Sequence, residues 1–164
     1  MTRPHPFSLI VFDVDGTLVD SKAGILAAMT RTFAELGLPA PDATATRRVV
    51  GLSLHEAVER LLPAEADAAL VARAAETYKH AFAEARRQPG YQEPLFPDAA
   101  ETLRALDHPQ VCLGVATGKS RRGLEATLAQ HGLTGHFVTL KTADDSPGKP
   151  DPRMLRDAMA DVGA

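Results

Sequence analysis

The sequence predicts an α/β fold, in which a parallel β-sheet core is interrupted by an all-helical insertion. Three short apolar segments are of strand type, and they lie at residues 9–11, 111–116 and 136–140. Each is followed by a polar, glycine-containing loop and then by a helical pattern, the order that is typical of a βαβ core. From about Lys22 to Arg87 the apolar residues repeat only with helical spacing. The predicted division is core at 1–20, helical insertion at 21–94 and core continued at 95–164.

The insertion is predicted to contain three long helices that pack on one another. The first carries an apolar stripe that ends at Gly37: Ile25, Leu26, Met29, Phe33 and Leu36. The second begins at Ser53, which forms a capping box with Glu56. The third carries a stripe made of Leu70, Val71, Ala74, Ala75, Tyr78 and Phe82. Stripes of this kind indicate a helical bundle and imply no cofactor.

After the insertion the α/β pattern resumes. Residues 94–97 are predicted to be an extended linker, because each of their two prolines disfavours helix before it. Asp98 is expected to cap the helix that follows. The strand at 111–116 leads through a turn to a helix over 121–131, which stops at Gly132. The strand at 136–140 is followed by a polar loop and by a last helix that runs to about Val162.

Composition excludes several classes of protein. The chain has 164 residues, of which 45% are hydrophobic and 24% charged, as in an ordinary soluble globular protein. A net charge of −3 gives no reason to expect a nucleic acid partner or binding to a membrane surface. No segment has the apolar length of a membrane span, and residues 1–7 lack the apolar centre of a signal peptide. The single cysteine, Cys112, is interpreted as a core residue and suits a reducing, cytoplasmic location, while the oligomeric state stays open.

Two carboxylates, those of Asp13 and Asp15, follow the first strand two positions apart. Ligands of open parallel sheets bind at the carboxyl ends of the strands, where these residues stand. Strand alternation places both side chains on one side of the backbone, close enough to share a divalent cation. Gly16 allows a tight turn after them. The alternative is an ordinary Asp-Gly turn at a strand end.

The loops after the three strands together carry groups that suit phosphoryl transfer. Asp13 is a candidate nucleophile that could accept a phosphoryl group, and Asp15 is a candidate general acid and then base. Thr117, with the backbone N–H groups after it, offers neutral donors, and Lys149 offers a fixed positive charge. These groups and Mg²⁺ could position and neutralise the phosphoryl oxygens. Taken singly, Thr117 could be only a strand-end hydroxyl and Lys149 only a solvated surface residue.

These motifs resemble a known superfamily. The sequences at 13–17 (DVDGT), 116–119 (ATGK) and 148–152 (GKPDP) look like the first three motifs of the haloacid dehalogenase-like phosphohydrolases. The helical insertion and the run at 95–98 (LFPD) are similar to the phosphoglycolate phosphatase-like branch, which has a small helical cap. The resemblance covers nearly the whole chain. It implies a Rossmann-like core with an inserted cap, and a phosphoric monoester hydrolase that uses Mg²⁺ and forms an aspartyl phosphate on a small phosphorylated metabolite.

The resemblance also assigns roles to residues. Asp13 would be the nucleophile and a Mg²⁺ ligand, and Asp15 would be the acid/base and give the metal its backbone carbonyl. Thr117 and Lys149 would bind the transferring phosphoryl group. Further phosphate- or substrate-binding residues would be Gly16, Thr17 and Gly118.

The family has a fourth motif, a strand that ends in further acidic residues and completes the metal site. The present sequence ends at residues 161–164, in the helix that should lead into that strand. Asp144 and Asp145 precede Lys149 and do not replace the motif, since a solvated acidic loop explains them equally well. We therefore expect a core that is incomplete at its C-terminus, a first strand at the sheet edge, poor Mg²⁺ affinity and poor activity at this chain length, and a fragment of a longer phosphatase.

Two other functions stay open, and several motifs are set aside. The open alternatives are a phosphomutase of the same fold and a truncated, non-catalytic phosphate-binding module. The segment at 114–120 imitates a nucleotide-binding P-loop but has three residues between its glycines where that loop needs four. The six histidines, His5 among them, show no metal-ligand spacing. Arg47 and Arg48 could meet an anionic group of a substrate, or could belong to a solvated helix face.

Overall fold

The computed structural model describes residues 8–164, so His5 and the segment 1–7 discussed above lie outside the described residues. The strands are β1 (Leu9–Phe12), β2 (Cys112–Ala116) and β3 (Thr139–Lys141). The helices before β2 are α1 (Lys22–Glu35), α2 (Ala43–Arg48), α3 (Leu54–Leu61), α4 (Ala68–Arg87) and α5 (Ala99–Ala105). The helices after it are α6 (Arg121–Gln130) and α7 (Arg153–Val162). This order of elements confirms the predicted α/β fold with a helical insertion, although four helices, and not the three expected, lie between β1 and the second part of the core.

The sheet is parallel, with the strand order β1-β2-β3. Its register pairs Val11 with Gly114, and Gly114 in turn with Thr139. A Cβ atom at Gly114 would lie 2.7 Å from Cγ2 of Thr139, so the glycine is needed where β2 and β3 come together. β1 lies at one edge of the described sheet, as expected. Because the strands are parallel, their carboxyl ends lie side by side, and the loops that follow them all leave the sheet there.

Three local predictions need correction. α2 was not expected as a separate helix, although Asp42 caps it by accepting hydrogen bonds from the N–H groups of Thr44 and Ala45. Asp98 stands at the N-cap of α5 but makes no capping hydrogen bond, because its φ of 64° is left-handed, whereas N-cap acceptors have extended backbone. β3 begins at Thr139 and not at residue 136, since the N–H of His136 is turned back onto the carbonyl of Leu133.

Buried apolar side chains form two separate cores. The core of the α/β part joins the sheet to α5, α6 and the loop after β1: Val14, Leu18, Val19, Ala99, Leu103, Leu113, Val115, Leu124, Leu128, Leu133 and Phe137. The second core joins the helices of the insertion: Met29, Phe33, Val58, Leu62, Val71, Ala74 and Ala75. The apolar stripes predicted for α1, α3 and α4 therefore do pack on one another. Two cores within one short chain indicate that the insertion is a structural unit of its own.

The insertion joins the α/β part through two chain segments that lie side by side. Val19 and Leu95 form an isolated antiparallel bridge. The N–H of Asp20 donates to the carbonyl of Pro94 at 2.8 Å, and the N–H of Phe96 donates to the carbonyl of Leu18 at 2.9 Å. Entry and exit of the helical unit are thus fixed to each other beside β1. A rotation at this paired connection would move the helices relative to the sheet.

Helix α7 packs against all three strands and holds β3 in place. The carboxylate of Asp161 lies 2.8 Å from the ammonium of Lys141 and accepts a hydrogen bond from the hydroxyl of Thr139. The Ser146 hydroxyl donates to Asp157 at 2.7 Å. These contacts tie β3 and the first half of the loop after it to α7. Within residues 8–164, none of the helices combines the length and the apolarity needed to cross a membrane.

Removing a core side chain of α6 should destabilise the α/β part. Leu124 is 0% exposed, so Leu124→Ala is expected to lower the free energy of unfolding by about 2–5 kcal/mol through lost burial and the cavity left behind. Urea unfolding measures the change. Leu155→Ala on the exposed side of α7, where the leucine is 49% exposed, is the matched control and should cost far less. Equal losses in the two variants would contradict the assignment of the core.

The contact between α7 and β3 should weaken in acid. The hydrogen bonds from Lys141 and Thr139 lower the pKa of Asp161 from its ordinary value of 3.8. A lowered folded-state pKa contributes stability above pH 3.8 that is lost as the pH falls through the folded value. The difference in melting temperature between Asp161→Asn and the native chain should therefore be present at neutral pH and shrink below pH 4. When Lys141 is replaced by Met, Asp161→Asn should change the melting temperature less at neutral pH. An unchanged difference would contradict the pairing of Asp161 with Lys141.

Candidate active site

The loop after β1 holds Asp13 and Asp15 in a tight turn. Gly16 has a φ of 82°, in the left-handed region that glycine adopts without strain. Its N–H donates to the carbonyl of Val19, while the N–H groups of residues 17, 18 and 19 all point at the carbonyl of Val14. Val14 itself is fully buried. The buried Val14 between the two aspartates anchors the loop, so that both carboxylates stay at the sheet edge.

Asp13 is held from two sides. Its Oδ1 accepts a hydrogen bond from the N–H of Val14 at 2.8 Å. Its Oδ2 lies 2.9 Å from the ammonium of Lys149, and the aspartate side chain keeps 25% of its surface exposed. The structure thus brings together the predicted nucleophile and the predicted phosphate-binding lysine, which stand 136 positions apart in the sequence. A fixed carboxylate with a cation beside it is suited to meet an anionic electrophile.

Asp15 is paired with a lysine that the sequence did not single out. Its Oδ1 lies 2.9 Å from the ammonium of Lys119, and the two side chains are only 12% and 9% exposed. Lys119 is also 3.8 Å from the buried carboxylate of Glu93, at the end of the insertion. Lys119 was part of the second motif but was given no role, and Glu93 carried no motif signal. Only the folded chain shows that Lys119 reaches the candidate acid/base and that Glu93 lies beside Lys119.

Thr117 is fully buried one residue beyond β2. Its N–H donates to the carbonyl of Lys141 at 3.0 Å, and its hydroxyl accepts from the N–H of Lys119 at 3.3 Å. These contacts shape the second loop and join it to the third strand. A hydroxyl at the end of a strand makes contacts of this kind whether or not it binds a ligand, so a role for Thr117 in binding a phosphoryl group stays a prediction. The binding roles of Gly16, Thr17 and Gly118 also stay predictions.

The loop between α2 and α3 lies directly on the site. Gly51 has a φ of 94°, and a Cβ atom there would lie 3.4 Å from Oδ2 of Asp13. A Cβ atom at Gly118 would overlap the carbonyl group of Leu52, and one at Gly148 would lie 2.9 Å from Cβ of Ser53. Glycines in the second and third motif loops therefore leave room for the backbone of the helical unit. We call this loop, residues 49–53, the lid. A molecule that reaches Asp13 must pass the lid or displace it.

Asp144 and Asp145 do not face the site as free carboxylates. Asp144 accepts a hydrogen bond from the N–H of Arg121 at 2.7 Å. Asp145 lies 2.6 Å from the guanidinium of Arg121 and accepts hydrogen bonds from the N–H and the hydroxyl of Thr142. Both residues tie the loop after β3 to the start of α6. This agrees with the expectation that they do not serve as the fourth, acidic motif of the family that the sequence resembles.

The arginines of α2 lie at the edge of the lid. Arg47 and Arg48 are both exposed. Arg47 and Lys22 border a cavity of about 190 Å³ between α1 and α2, whose other lining residues include Val50. Val50 in turn packs near Gly16 of the first motif loop. The cavity is therefore next to the site, and two cations stand at its border.

The donor set for a metal ion is small. Among residues 8–164 there is no group of three or more histidine, cysteine, aspartate or glutamate side chains that could hold a metal ion. Asp13 and Asp15 remain as oxygen donors at the sheet edge. Mg²⁺ is commonly bound through one or two carboxylates, with water and substrate phosphate as the other ligands. The residues present therefore fit the smallest protein ligand set that Mg²⁺ uses.

The chain is similar to known hydrolases, several of which are named phosphatases. The family model described as haloacid dehalogenase-like hydrolase matches residues 10–164. A protein of Dickeya dadantii named "Probable phosphatase IndB" is 35% identical over 95% of this chain, and a phosphoglycolate phosphatase of Pseudomonas putida is 32% identical over 94%. The chain spans 68% and 58% of the lengths of these two proteins. A crystal structure of a hydrolase from Pseudomonas syringae, 27% identical, superposes with a TM-score of 0.81 and covers 96% of this chain and 70% of that one.

A side chain at Gly118 should push the lid away from the site. Gly118→Ala places a methyl group where the carbonyl of Leu52 now lies. We expect faster hydrogen–deuterium exchange of the amides at 49–53, with little change in the core. Gly135→Ala is the control, because a Cβ atom there meets nothing within 4 Å. If exchange of residues 49–53 is the same in both variants, the lid does not rest on the second motif loop.

Proposed function

The chain belongs to the haloacid dehalogenase-like hydrolases, and from that premise we propose that it hydrolyses a small phosphomonoester through an aspartyl phosphate on Asp13. The observation that carries this proposal is the pairing of Asp13 with Lys149 at 2.9 Å beneath the lid. A carboxylate at a strand end that is held beside a lysine can attack phosphorus while the lysine neutralises the phosphoryl oxygens. The relatives from Dickeya dadantii and Pseudomonas putida, both named as phosphatases, support the same reaction class.

Charge balance supports a requirement for a divalent cation. The two carboxylates of the site are matched by two ammonium groups, Lys149 beside Asp13 and Lys119 beside Asp15. A phosphate monoester carries about 1.5 to 2 negative charges at neutral pH, so its entry would leave the site strongly negative. We propose that Asp13, and Asp15 through its backbone carbonyl, hold Mg²⁺. The ion, when bound, supplies positive charge at the phosphoryl oxygens.

The reaction that we propose has two displacements. In the first, Asp15, which takes up a proton when the substrate enters, gives that proton to the leaving oxygen, while a carboxylate oxygen of Asp13 forms a bond to phosphorus and the bond from phosphorus to the ester oxygen breaks. In the second, water attacks phosphorus, the bond from phosphorus to Asp13 breaks, and Asp15 takes a proton from the water. Asp13 returns to its starting state, Asp15 is protonated again, and inorganic phosphate leaves. Lys149 stays beside the phosphoryl group throughout.

The packing of the lid favours a small substrate. Backbone atoms of residues 51 and 52 lie against Asp13 and Gly118, and Ser53 lies against Gly148, so little volume remains over the nucleophile. We propose that the helical unit opens at the paired segments around Val19 and Leu95 to admit substrate, and closes to exclude bulk water. Phosphoglycolate is the first substrate to test, since the relative from Pseudomonas putida is named phosphoglycolate phosphatase.

A non-catalytic phosphate-binding module is the second candidate. It is favoured by the small donor set, since the described residues contain no third acidic ligand near Asp13 and Asp15. Such a module would bind inorganic phosphate without turning over esters. A phosphomutase of the same fold is distinguished by its product, because it would return an isomeric sugar phosphate and no free phosphate.

Substitution of Asp13 should abolish turnover and leave the fold intact. With 4-nitrophenyl phosphate as substrate and MgCl₂ present, Asp13→Asn is expected to lower kcat by a factor on the order of a thousand or more, since it removes the nucleophile. Asp107→Asn, an exposed position after α5, is the control and should keep native activity. EDTA should abolish native activity, and MgCl₂ should restore it. Native activity in Asp13→Asn would contradict the proposal, and binding of phosphate without turnover by the native chain would favour the second candidate.

A further inference from the structure

A row of alternating charges runs from the candidate acid/base into the helical unit. Asp15 lies 2.9 Å from Lys119, and Lys119 lies 3.8 Å from Oε1 of Glu93. Oε2 of the same glutamate lies 3.6 Å from the guanidinium of Arg86 at the end of α4. The row thus contains two anions and two cations in strict alternation. It links the first and second motif loops to α4 and to the linker after α4, which are the last parts of the insertion.

Glu93 is the unusual member of this row. Its side chain is only 1% exposed, and neither carboxylate oxygen has a hydrogen-bond partner in the described part of the chain. A buried carboxylate is costly unless nearby charges compensate it, so its ion pairs with Lys119 and Arg86 compensate for that burial. Burial and the charge of Glu93 also raise the pKa of Tyr91, which keeps that hydroxyl neutral beside the glutamate.

Lys119 is confined by its surroundings. Its side chain is 9% exposed, and its ammonium lies 5.5 Å from the centre of the Phe82 ring of α4. The aromatic face and the two carboxylates therefore hold the charge from different directions. Without Glu93, the ammonium would keep Asp15 as its one carboxylate partner within 4 Å in the described residues. It would then lose the carboxylate that the helical unit provides and keep only the weaker contact with the Phe82 ring on that side in the described residues.

We propose that Glu93 is a positioning residue, which holds Lys119 against Asp15 and thereby fixes the acid/base carboxylate of the site. The inference rests on the proposed hydrolysis, in which Asp15 protonates the leaving oxygen. Glu93 belongs to the linker of the helical unit, and Phe82 and Arg86 belong to its last helix. The carboxylate of Asp15 is therefore fully held only when that unit is docked on the sheet, which couples acid catalysis to closure of the site.

The leaving group of the substrate provides the test. An alkyl phosphate has a strongly basic leaving oxygen that needs a proton in the transition state, whereas 4-nitrophenolate leaves without one. Misplacing Asp15 should therefore lower kcat/KM for an alkyl phosphate much more than for 4-nitrophenyl phosphate. Glu93→Gln removes the charge and keeps the shape of the side chain. We expect kcat/KM to fall about tenfold or more for the alkyl ester and less than about threefold for the aryl ester. The larger loss is part of the rate factor that general acid catalysis supplies.

Three further variants make the test specific. Lys119→Met removes the intermediate cation, and in that background Glu93→Gln should cause no further selective loss, because the two act through one another. Glu76→Gln, on the exposed side of α4 where Glu76 pairs with Lys79, is the matched control and should leave both rates unchanged. Thermal unfolding of each variant identifies any that fails to fold. If Glu93→Gln fails to fold, Lys119→Arg, which keeps the charge and changes its geometry, takes its place and should show the same selective loss.

Each outcome has a distinct meaning. A selective loss on the alkyl ester that disappears in the Lys119→Met background supports the positioning role. The positioning role is overturned if Glu93→Gln lowers kcat/KM equally for both esters or not at all, or if the losses multiply in the double variant. In those cases the proposed hydrolysis is still supported by the activity of the native chain. If the native chain hydrolyses neither ester, the proposed function fails, and the positioning role fails with it.

Discussion

The parallel pairing of β1, β2 and β3 is the constraint on which every contact of the site depends. It makes three loops that are far apart in the chain leave the sheet at the carboxyl ends of the strands, where the ion pairs of Asp13 and Asp15 form. The pairing of Gly114 with Val11 on one side and Thr139 on the other sets how closely the strands approach. Helix α7 secures the outer strand through Asp161 and Lys141. A shift of β3 would move the loop that carries Lys149 away from Asp13.

The site is balanced in charge and closed by backbone. Asp13 with Lys149 and Asp15 with Lys119 form two neutral pairs, so the structure tolerates four partly buried charged groups close together. The lid reaches them because glycines at 51, 118 and 148 carry no side chains. Closure of the lid and charge balance thus depend on the same two loops. The second and third motif loops carry the two lysines that pair with the aspartates, and also the glycines that leave room for the lid. In the proposed reaction, Mg²⁺ would offset the negative charge that a phosphate ester brings and so keep this balance.

Much of the fold could be predicted from the sequence, because periodicity and turn residues report local structure. The strands, the helical insertion and the strand-end positions of Asp13, Asp15 and Thr117 followed from such patterns. The predicted capping role of Asp98 was wrong, since its backbone is left-handed and its side chain makes no capping hydrogen bond. Glu93 and the role of Lys119 could not be predicted. An ion pair between residues 93 and 119 depends on how the helical unit docks on the sheet, and no local pattern encodes that arrangement.

In the proposed reaction Asp13 becomes phosphorylated during turnover, and this state can be trapped. The chain would be mixed with substrate and MgCl₂, quenched in acid within one turnover, and reduced with borohydride, which converts an aspartyl phosphate to homoserine. Peptide mass spectrometry then locates the product. We expect homoserine at position 13 and unmodified aspartate at position 15. Turnover with unmodified Asp13, or homoserine at another aspartate, would contradict the proposed reaction.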